Sequence, residues 1–147
     1  IEPSSSTSPA IKNILLEGYK KLFADADLEK SNTDKNPFIV AFLKTMNKQS
    51  TAVSAGINAE TLSMVRTRFI LDWYTNYGSK YPFKLFEWQR QLLQNGLFDA
   101  YNQWIFATAQ NLPAYQNWTA NHSQEYNELI RFQKNRVFKI PQGQYYR

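Results

Sequence analysis

Two nearly identical segments, residues 100–104 (AYNQW) and 114–118 (AYQNW), carry a tyrosine, two amides and a tryptophan in the same order. A flat aromatic face beside hydrogen-bonding amides is suited to binding a carbohydrate or a single-stranded nucleic acid. The same residues on an amphipathic helix are also typical of core anchors whose polar tips reach water. We favour the core interpretation. The candidate binding residues of the alternative are Tyr101, Trp104, Tyr115 and Trp118.

The C-terminal segment 131–147 interleaves basic and aromatic residues, a pattern compatible with binding a nucleic acid or another anionic polymer. It contains five basic residues and no acid, so the whole net charge of +5 comes from this segment. Cations near the end of a helix also complement its dipole, which is the simpler explanation. The candidate polyanion-binding residues are Arg131, Lys134, Arg136 and Lys139.

Few side chains of this sequence can support catalysis. His122 is the only histidine and there is no cysteine, which excludes a zinc site built from several histidines, a thiolate ligand and a disulfide. Ser123, beside His122, is better explained as the cap of a helix than as a nucleophile. Nucleophile-elbow, phosphate-loop and dinucleotide-loop motifs are absent. We therefore expect no catalytic residue, no metal and no cofactor.

A pair of carboxylates is the remaining route to a reaction, because two such groups can divide the acid and base roles. Asp72, Glu87 and Asp99 are the acids expected nearest the aromatic core. Asp99 and Glu125 each follow a predicted helix start, where a negative charge favours the helix dipole. It is simpler to explain these acids as groups that cap helices or that lie in solvent. A carboxylate-dependent hydrolase in a helical cleft is therefore the second alternative function.

Apolar residues recur at helical spacing along most of the chain, and no sustained alternation indicates a strand. The sequence predicts an all-α fold of about seven helices, arranged as successive antiparallel hairpins around an aromatic-rich core. Start signals are Ser8-Pro9, Asn36-Pro37, Asn58, Pro82, Pro113 and Ser123, and stop signals are Gly78 and Asn95-Gly96. Helices are expected to begin at residues 9, 37 and 113. Four others are expected to cover residues 58–77, 82–95, about 97–110 and about 123–138.

Two further features indicate how these helices pack. Aromatic residues make up 16% of the chain, so the core should consist of rings more than aliphatic side chains. The helix over 58–77 carries apolar residues on more than one face and is expected at the centre of the fold. The polar segment 24–36 is expected to be an exposed connection.

The segment 92–113 resembles the middle and second half of a tetratricopeptide repeat, and the resemblance extends over about residues 84–113. The matching residues are Gly96, Phe98, Ala100, Trp104, Ala107 and Pro113. Gln89 stands where the family has a small residue, and no second copy follows at the family's period of about 34 residues. The resemblance implies a superhelical scaffold whose concave face binds a peptide or a protein. It does not imply catalysis.

The domain organisation follows from composition. Residues 1–8 are expected to form a flexible leader, residues 9–138 a single helical domain, and residues 139–147 an extended basic and aromatic tail. No segment approaches the roughly 20 apolar residues that span a bilayer. The chain begins at Ile1, and its polar, serine-rich opening is typical of a segment after a cleaved signal peptide or of a linker, which favours an exported bacterial protein, periplasmic or secreted.

These observations predict a non-enzymatic helical module that engages a protein or peptide partner as an interaction or scaffold domain. The first alternative is polyanion or nucleic-acid binding through segment 131–147. A surface groove lined by Tyr101, Trp104 or Tyr115 would favour the peptide scaffold.

Overall fold

The computed structural model describes residues 6–136, 139 and 141–143. The chain in these ranges is helical and contains no strand, so the predicted all-α fold is confirmed. The helices are α1 (Ser8–Phe23), α2 (Leu28–Ser31), α3 (Pro37–Asn47), α4 (Ala59–Asn76), α5 (Lys84–Gln94), α6 (Phe98–Asn102), α7 (Thr108–Gln110), α8 (Leu112–Asn121) and α9 (Ser123–Lys134). A 3₁₀ turn covers Ser50–Val53, and a π-helical turn at Gln103–Ala107 joins α6 to α7.

Two of the predicted helix starts are built as the sequence indicates. The Asn36 Oδ1 atom accepts a hydrogen bond from the Phe38 amide at 2.9 Å and caps α3. Asn58 and Thr61 exchange hydrogen bonds between side chain and backbone and form a capping box at α4. The predicted stop at Gly96 is also confirmed, because its φ of 70° lies in the left-handed region that favours glycine.

The four other starts are displaced, and α8 begins at Leu112, one residue before the predicted Pro113. Ser8 and Ser123 are the first residues of α1 and α9 rather than their caps, and α5 begins at Lys84 instead of Pro82. Pro9 is tolerated one position later than predicted because the first turn of a helix has no partner for its N–H groups. The predicted end of α9 near Phe138 lies outside the described residues, and the helix ends at Lys134.

The sequence analysis did not anticipate α2 or the π-helical turn. α2 interrupts the predicted connection 24–36, where the Asp27 carboxylate accepts hydrogen bonds from the amides of Glu29 and Lys30. Leu28 is buried behind that cap and attaches the connection to the core. The π-helical turn begins at Gln103, in the last two residues of the first copy of the twin motif, and widens an otherwise continuous helical segment.

The core is built largely from aromatic rings, as predicted. Phe86 of α5 lies at its centre and is buried. Five rings surround it at centroid distances of 4.8–6.5 Å, those of Phe38, Phe42, Phe69, Trp73 and Phe83. Most of these contacts are edge-to-face, the arrangement that the ring quadrupoles favour.

α4 occupies the centre of the fold. It packs against α3, α5, α6 and the π-helical turn, and it buries one stripe of Leu62, Val65, Phe69 and Trp73 together with Ser63 and Ile70 on the adjoining face. This agrees with its predicted central position. Across the described ranges, no helix combines the length and apolarity that crossing a membrane requires.

Candidate functional site

The tyrosines of the twin motif belong to the core. Tyr101 is 8% exposed and Tyr115 is 9% exposed, and burial raises the pKa of both phenols. Tyr101 also stacks between Phe98 and Trp104. A ligand could reach either ring only by displacing its neighbours, so their assignment as candidate binding residues is corrected to core residues.

Trp104 is half-buried and is covered by α1. The ammonium nitrogen of Lys12 lies 3.9 Å from the centroid of its ring, a cation–π contact. Lys12 is itself buried, and this desolvation lowers the pKa of its ammonium group from 10.5 to about 8. The first tryptophan of the twin motif is thus held by a contact within the fold.

Trp118 has a different environment from Trp104. It is half-buried on α8, and the ring of His122 stacks on it with a centroid distance of 4.4 Å and an interplanar angle of 7°. The His122 Nδ1 atom lies 2.9 Å from the Trp118 carbonyl oxygen, which fixes the imidazole against the helix end. Of the four aromatic residues singled out in the twin motif, Trp118 lines the two hollows between α4, the π-helical turn and α8.

Two adjoining hollows lie between α4, the π-helical turn and α8, and they share Glu60, Gln103 and Trp118. We call them the acidic hollow, of about 550 Å³, and the amide hollow, of about 470 Å³, and together the Trp118 groove. The acidic hollow is lined by Glu60, Ser63, Met64, Thr67, Arg68, Asp99, Gln103 and Trp118. The amide hollow is lined by Ala59, Glu60, Gln103, Ala107, Gln110, Asn111, Ala114, Asn117, Trp118, Asn121 and His122.

The amide hollow combines small and polar residues. Three alanines contribute short side chains to its lining, those of positions 59, 107 and 114. Asn111 uses its Oδ1 atom to cap α8 at the Ala114 amide, and Asn121 donates from Nδ2 to the Asn117 carbonyl oxygen at 3.0 Å. Within the part of the chain that the structure describes, Asn111 Nδ2 and Asn121 Oδ1 have no further partner. The hollow therefore presents a free donor and a free acceptor.

The acidic hollow contains two carboxylates that neutral groups hold in place. Asp99 Oδ1 accepts a hydrogen bond from the Ser63 hydroxyl at 2.7 Å. Glu60 Oε1 accepts one from the Gln103 amide at 3.3 Å. Neither carboxylate forms a salt bridge with any of the described residues. Each oxygen that remains, Asp99 Oδ2 and Glu60 Oε2, is available to a ligand.

A buried polar network lies behind Asp99. The Arg66 guanidinium, 5% exposed, donates from Nη1 to Asn102 Oδ1, while its Nε is buried without a hydrogen-bond partner. Asn102 is fully buried and donates from Nδ2 to the Phe98 carbonyl and to Ser63 Oγ. Ser63 in turn donates to Asp99. The network thus connects a buried cation to a carboxylate at the groove.

None of the four basic candidates is among the lining residues of the groove. Arg131 and Lys134 are in the last turn of α9, and Arg136 and Lys139 follow it. All four are exposed, and the Arg136 guanidinium lies 3.9 Å from the Phe132 ring centroid. Among the described residues none of them forms a salt bridge. Their positive charge therefore remains open to solvent.

The three acids expected near the core have different partners in the fold. Asp72 accepts a hydrogen bond from Gln49 at 2.6 Å, and Glu87 pairs with Lys84 at 3.5 Å. Of the three candidates, Asp99 lines the groove. Over the described ranges no group of three histidine or acidic side chains lies close enough to hold a metal ion.

Several groove residues carried no signal in the sequence. Glu60 follows the Asn58 cap and has the appearance of an ordinary acid in the first turn of a helix. Asn111 and Asn121 lie in polar stretches beside Pro113 and His122. Their common place in one groove depends on how α4 and α8 pack on the π-helical turn, which residue types alone do not reveal.

No protein-family model, curated protein or solved structure matches this chain. The resemblance of residues 84–113 to a tetratricopeptide hairpin therefore stays a prediction. The features that bear on function are the Trp118 groove and the exposed cations.

Proposed function

We propose that the protein is a non-enzymatic interaction module that binds an extended peptide segment of a partner protein in the Trp118 groove. The observation that carries this proposal is the composition of the amide hollow, where alanines adjoin carboxamide side chains and a tryptophan. The predicted tetratricopeptide resemblance of residues 84–113 implies the same class of partner.

The amide hollow suits the peptide backbone. Every peptide unit other than proline presents one N–H donor and one C=O acceptor, and a carboxamide can pair with either. The free Asn111 Nδ2 atom supplies the donor for a carbonyl, and the free Asn121 Oδ1 atom supplies the acceptor for an N–H group. The short alanine side chains let a backbone approach closely enough for such contacts.

The π-helical turn supports a functional role for this surface. Gln103 and Ala107 are its first and last residues, and both line the amide hollow. A π-helical turn packs its backbone less favourably than an α-helix and occurs frequently at functional sites. Here it contributes one amide and one small side chain to the same hollow.

Apolar side chains next to the acidic hollow provide contacts for the side chains of a bound peptide. Met64 lines that hollow and is 45% exposed, and Leu71, two turns further along α4, is 57% exposed. Residues seven apart on a helix lie on nearly the same face. Burying these two side chains would stabilise a complex by about 1 kcal/mol or more.

A steric block of the amide hollow tests this proposal. The substitution Ala114→Trp fills the hollow from an exposed position of α8, and the matched control Ala120→Trp places the same ring on the same helix outside it. Selection of a displayed library of random 12-residue linear peptides should yield sequences that bind the wild type and A120W. Fluorescence anisotropy should show at least about tenfold weaker binding of those peptides to A114W.

Two results would overturn the peptide proposal. One is a selection in which no peptide is enriched over an unrelated helical protein. The other is equal affinity of the selected peptides for A114W and the wild type. Binding of oligosaccharides, and not of peptides, to the same groove in a glycan array would assign the site to the carbohydrate class instead.

Polyanion binding is a second candidate function, supported by the exposure of Arg131, Lys134 and Arg136. The triple variant R131Q/K134Q/R136Q should elute from heparin at a clearly lower salt concentration than the wild type, because each phosphate or sulfate contact releases counterions. The control K21Q/K44Q/K48Q removes the same charge from other exposed positions and should elute between the two. If both triple variants eluted at the same salt concentration, heparin binding would depend on the net charge of the protein and not on these three positions.

A further inference from the structure

Neither carboxylate of the acidic hollow forms a salt bridge with a cation among the residues that the structure describes. Asp99 and Glu60 each receive one hydrogen bond from a neutral donor, and each keeps a second oxygen without a partner in the described part of the chain. A neutral donor orients a carboxylate without cancelling its charge. The hollow therefore holds two oriented negative charges at a solvent-accessible position.

Trp118 adds an aromatic face next to these two negative charges. The indole lines the acidic hollow together with both carboxylates, and the stacked His122 ring holds it in place. The face of an indole attracts a cation through its quadrupole, and tryptophan is the most effective ring for this contact. Aromatic ring and carboxylates together favour a ligand group that is both flat and positively charged.

Two arginines of the protein act against a cationic ligand and must be weighed. Arg68 lines the hollow, but its side chain is exposed and can extend into solvent. Arg66 is buried behind the hollow, and the hydrogen bonds through Asn102 and Ser63 connect it to Asp99. Asp99 therefore compensates part of the Arg66 charge. The charge of Glu60, which is not connected to Arg66, is more fully available to a ligand.

Resting on the proposed peptide function, we propose that the acidic hollow is a specificity pocket for an arginine side chain of the bound peptide. Its guanidinium would pack against Trp118 and donate to Glu60 Oε2 and Asp99 Oδ2. Arginine fits better than lysine, because a planar guanidinium stacks on a ring and donates to carboxylates from the same plane. The adjacent amide hollow would hold the backbone on one side of that residue.

Small capped amino acids test the pocket without knowledge of the natural partner. We expect N-acetyl-arginine methylamide to shift the Trp118 indole N–H signal in an NMR titration, the signal being assigned with W118F. The neutral isostere N-acetyl-citrulline methylamide should bind at least about fivefold more weakly, and the lysine analogue should lie between them. E60Q should weaken the arginine probe by a similar factor, whereas E128Q, which removes an exposed acid on α9, should leave its binding unchanged.

The outcomes separate this inference from the proposed function. The variant D99N would also disturb the hydrogen-bond network of Arg66, whereas Glu60 lies outside that network. E60Q is therefore the decisive variant, and thermal melts check that it is folded. Equal binding of the arginine and citrulline probes, or unchanged binding to E60Q, would overturn the arginine pocket. If peptides selected on the groove then lacked arginine yet lost affinity for A114W, the peptide function would stand without this pocket. If the arginine probe bound but no peptide did, the peptide function would fail instead.

Discussion

Replacing Asn102 with alanine should lower the free energy of unfolding by about 2–4 kcal/mol. Asn102 Oδ1 accepts the hydrogen bond from the buried Arg66 guanidinium, whose Nε already lacks a partner. The rings of Phe98, Tyr101 and Phe106 around Arg66 lie 5.2–5.8 Å from its central carbon, and they attract the cation but accept no strong hydrogen bond from it. Urea denaturation followed by circular dichroism measures the loss.

A double-mutant cycle identifies the cause of that loss. In the variant R66M/N102A the buried charge is absent, so this variant should be more stable than N102A alone. The substitution Asn127→Ala on the exposed face of α9 is the control and should change the free energy of unfolding by less than about 0.5 kcal/mol. A double variant that is no more stable than N102A would show that the cavity, and not the unpaired charge, accounts for the effect.

Replacing Lys12 with methionine should have the opposite effect to N102A. It should raise the free energy of unfolding by about 1–2 kcal/mol at pH 7. Burial lowers the pKa of this ammonium group to about 8, which means that the fold disfavours its charged form. The cation–π contact with Trp104 offsets part of that cost. Methionine has a similar length and can cover the same ring without a charge.

The pH dependence follows from the direction of this shift. Below about pH 8 Lys12 is protonated in both states, and the folded state bears the full cost of the buried charge. Between pH 8 and 10.5 the folded state is largely neutral while the unfolded chain still binds the proton, so stability rises with pH. Unfolding in urea at pH 7.0 and at about pH 9.5 should therefore show a gain for the wild type that K12M lacks.

Two comparisons make this result specific to Lys12. The raised pKa of the buried Tyr101 acts in the opposite direction at higher pH, but it is present in both proteins and cancels in the difference. The exposed Lys21 lies on the same helix, and K21M should show the wild-type pH dependence. A K12M variant that is less stable than the wild type, with the same pH dependence, would mean that the contact with Trp104 outweighs desolvation.

The helices were predictable because their signals are local. Asn36 and Asn58 act as caps through side chains that reach amides two or three residues away, and Gly96 ends a helix through its own φ angle. The displaced starts at Ser8 and Ser123 differ from the prediction by one residue, since adjacent polar residues compete for the same position. α2 was missed because it is four residues long and depends on the Asp27 cap and on the burial of Leu28.

The candidate site was predictable only in part. Of the aromatic residues in the twin motif, Trp118 lines the groove, whereas Tyr101, Trp104 and Tyr115 are core residues or are covered within the fold. The two copies share a sequence and differ in environment, because the first lies on α6 and the π-helical turn between α1 and α4, while the second lies on the outer helix α8. Glu60 was missed because an acid in a first turn has an ordinary explanation.

The all-α class, the positions of the main helices and the aromatic core were predictable from the sequence alone, because each depends on spacings of a few residues along one helix. The packing of the helices placed Trp118 in a groove, brought Glu60 and Asp99 into the same groove and buried Arg66. These properties arise where helices distant in the chain meet. Residues 60, 99 and 118 acquire a common environment through the packing of α4, α6 and α8, which no local spacing encodes.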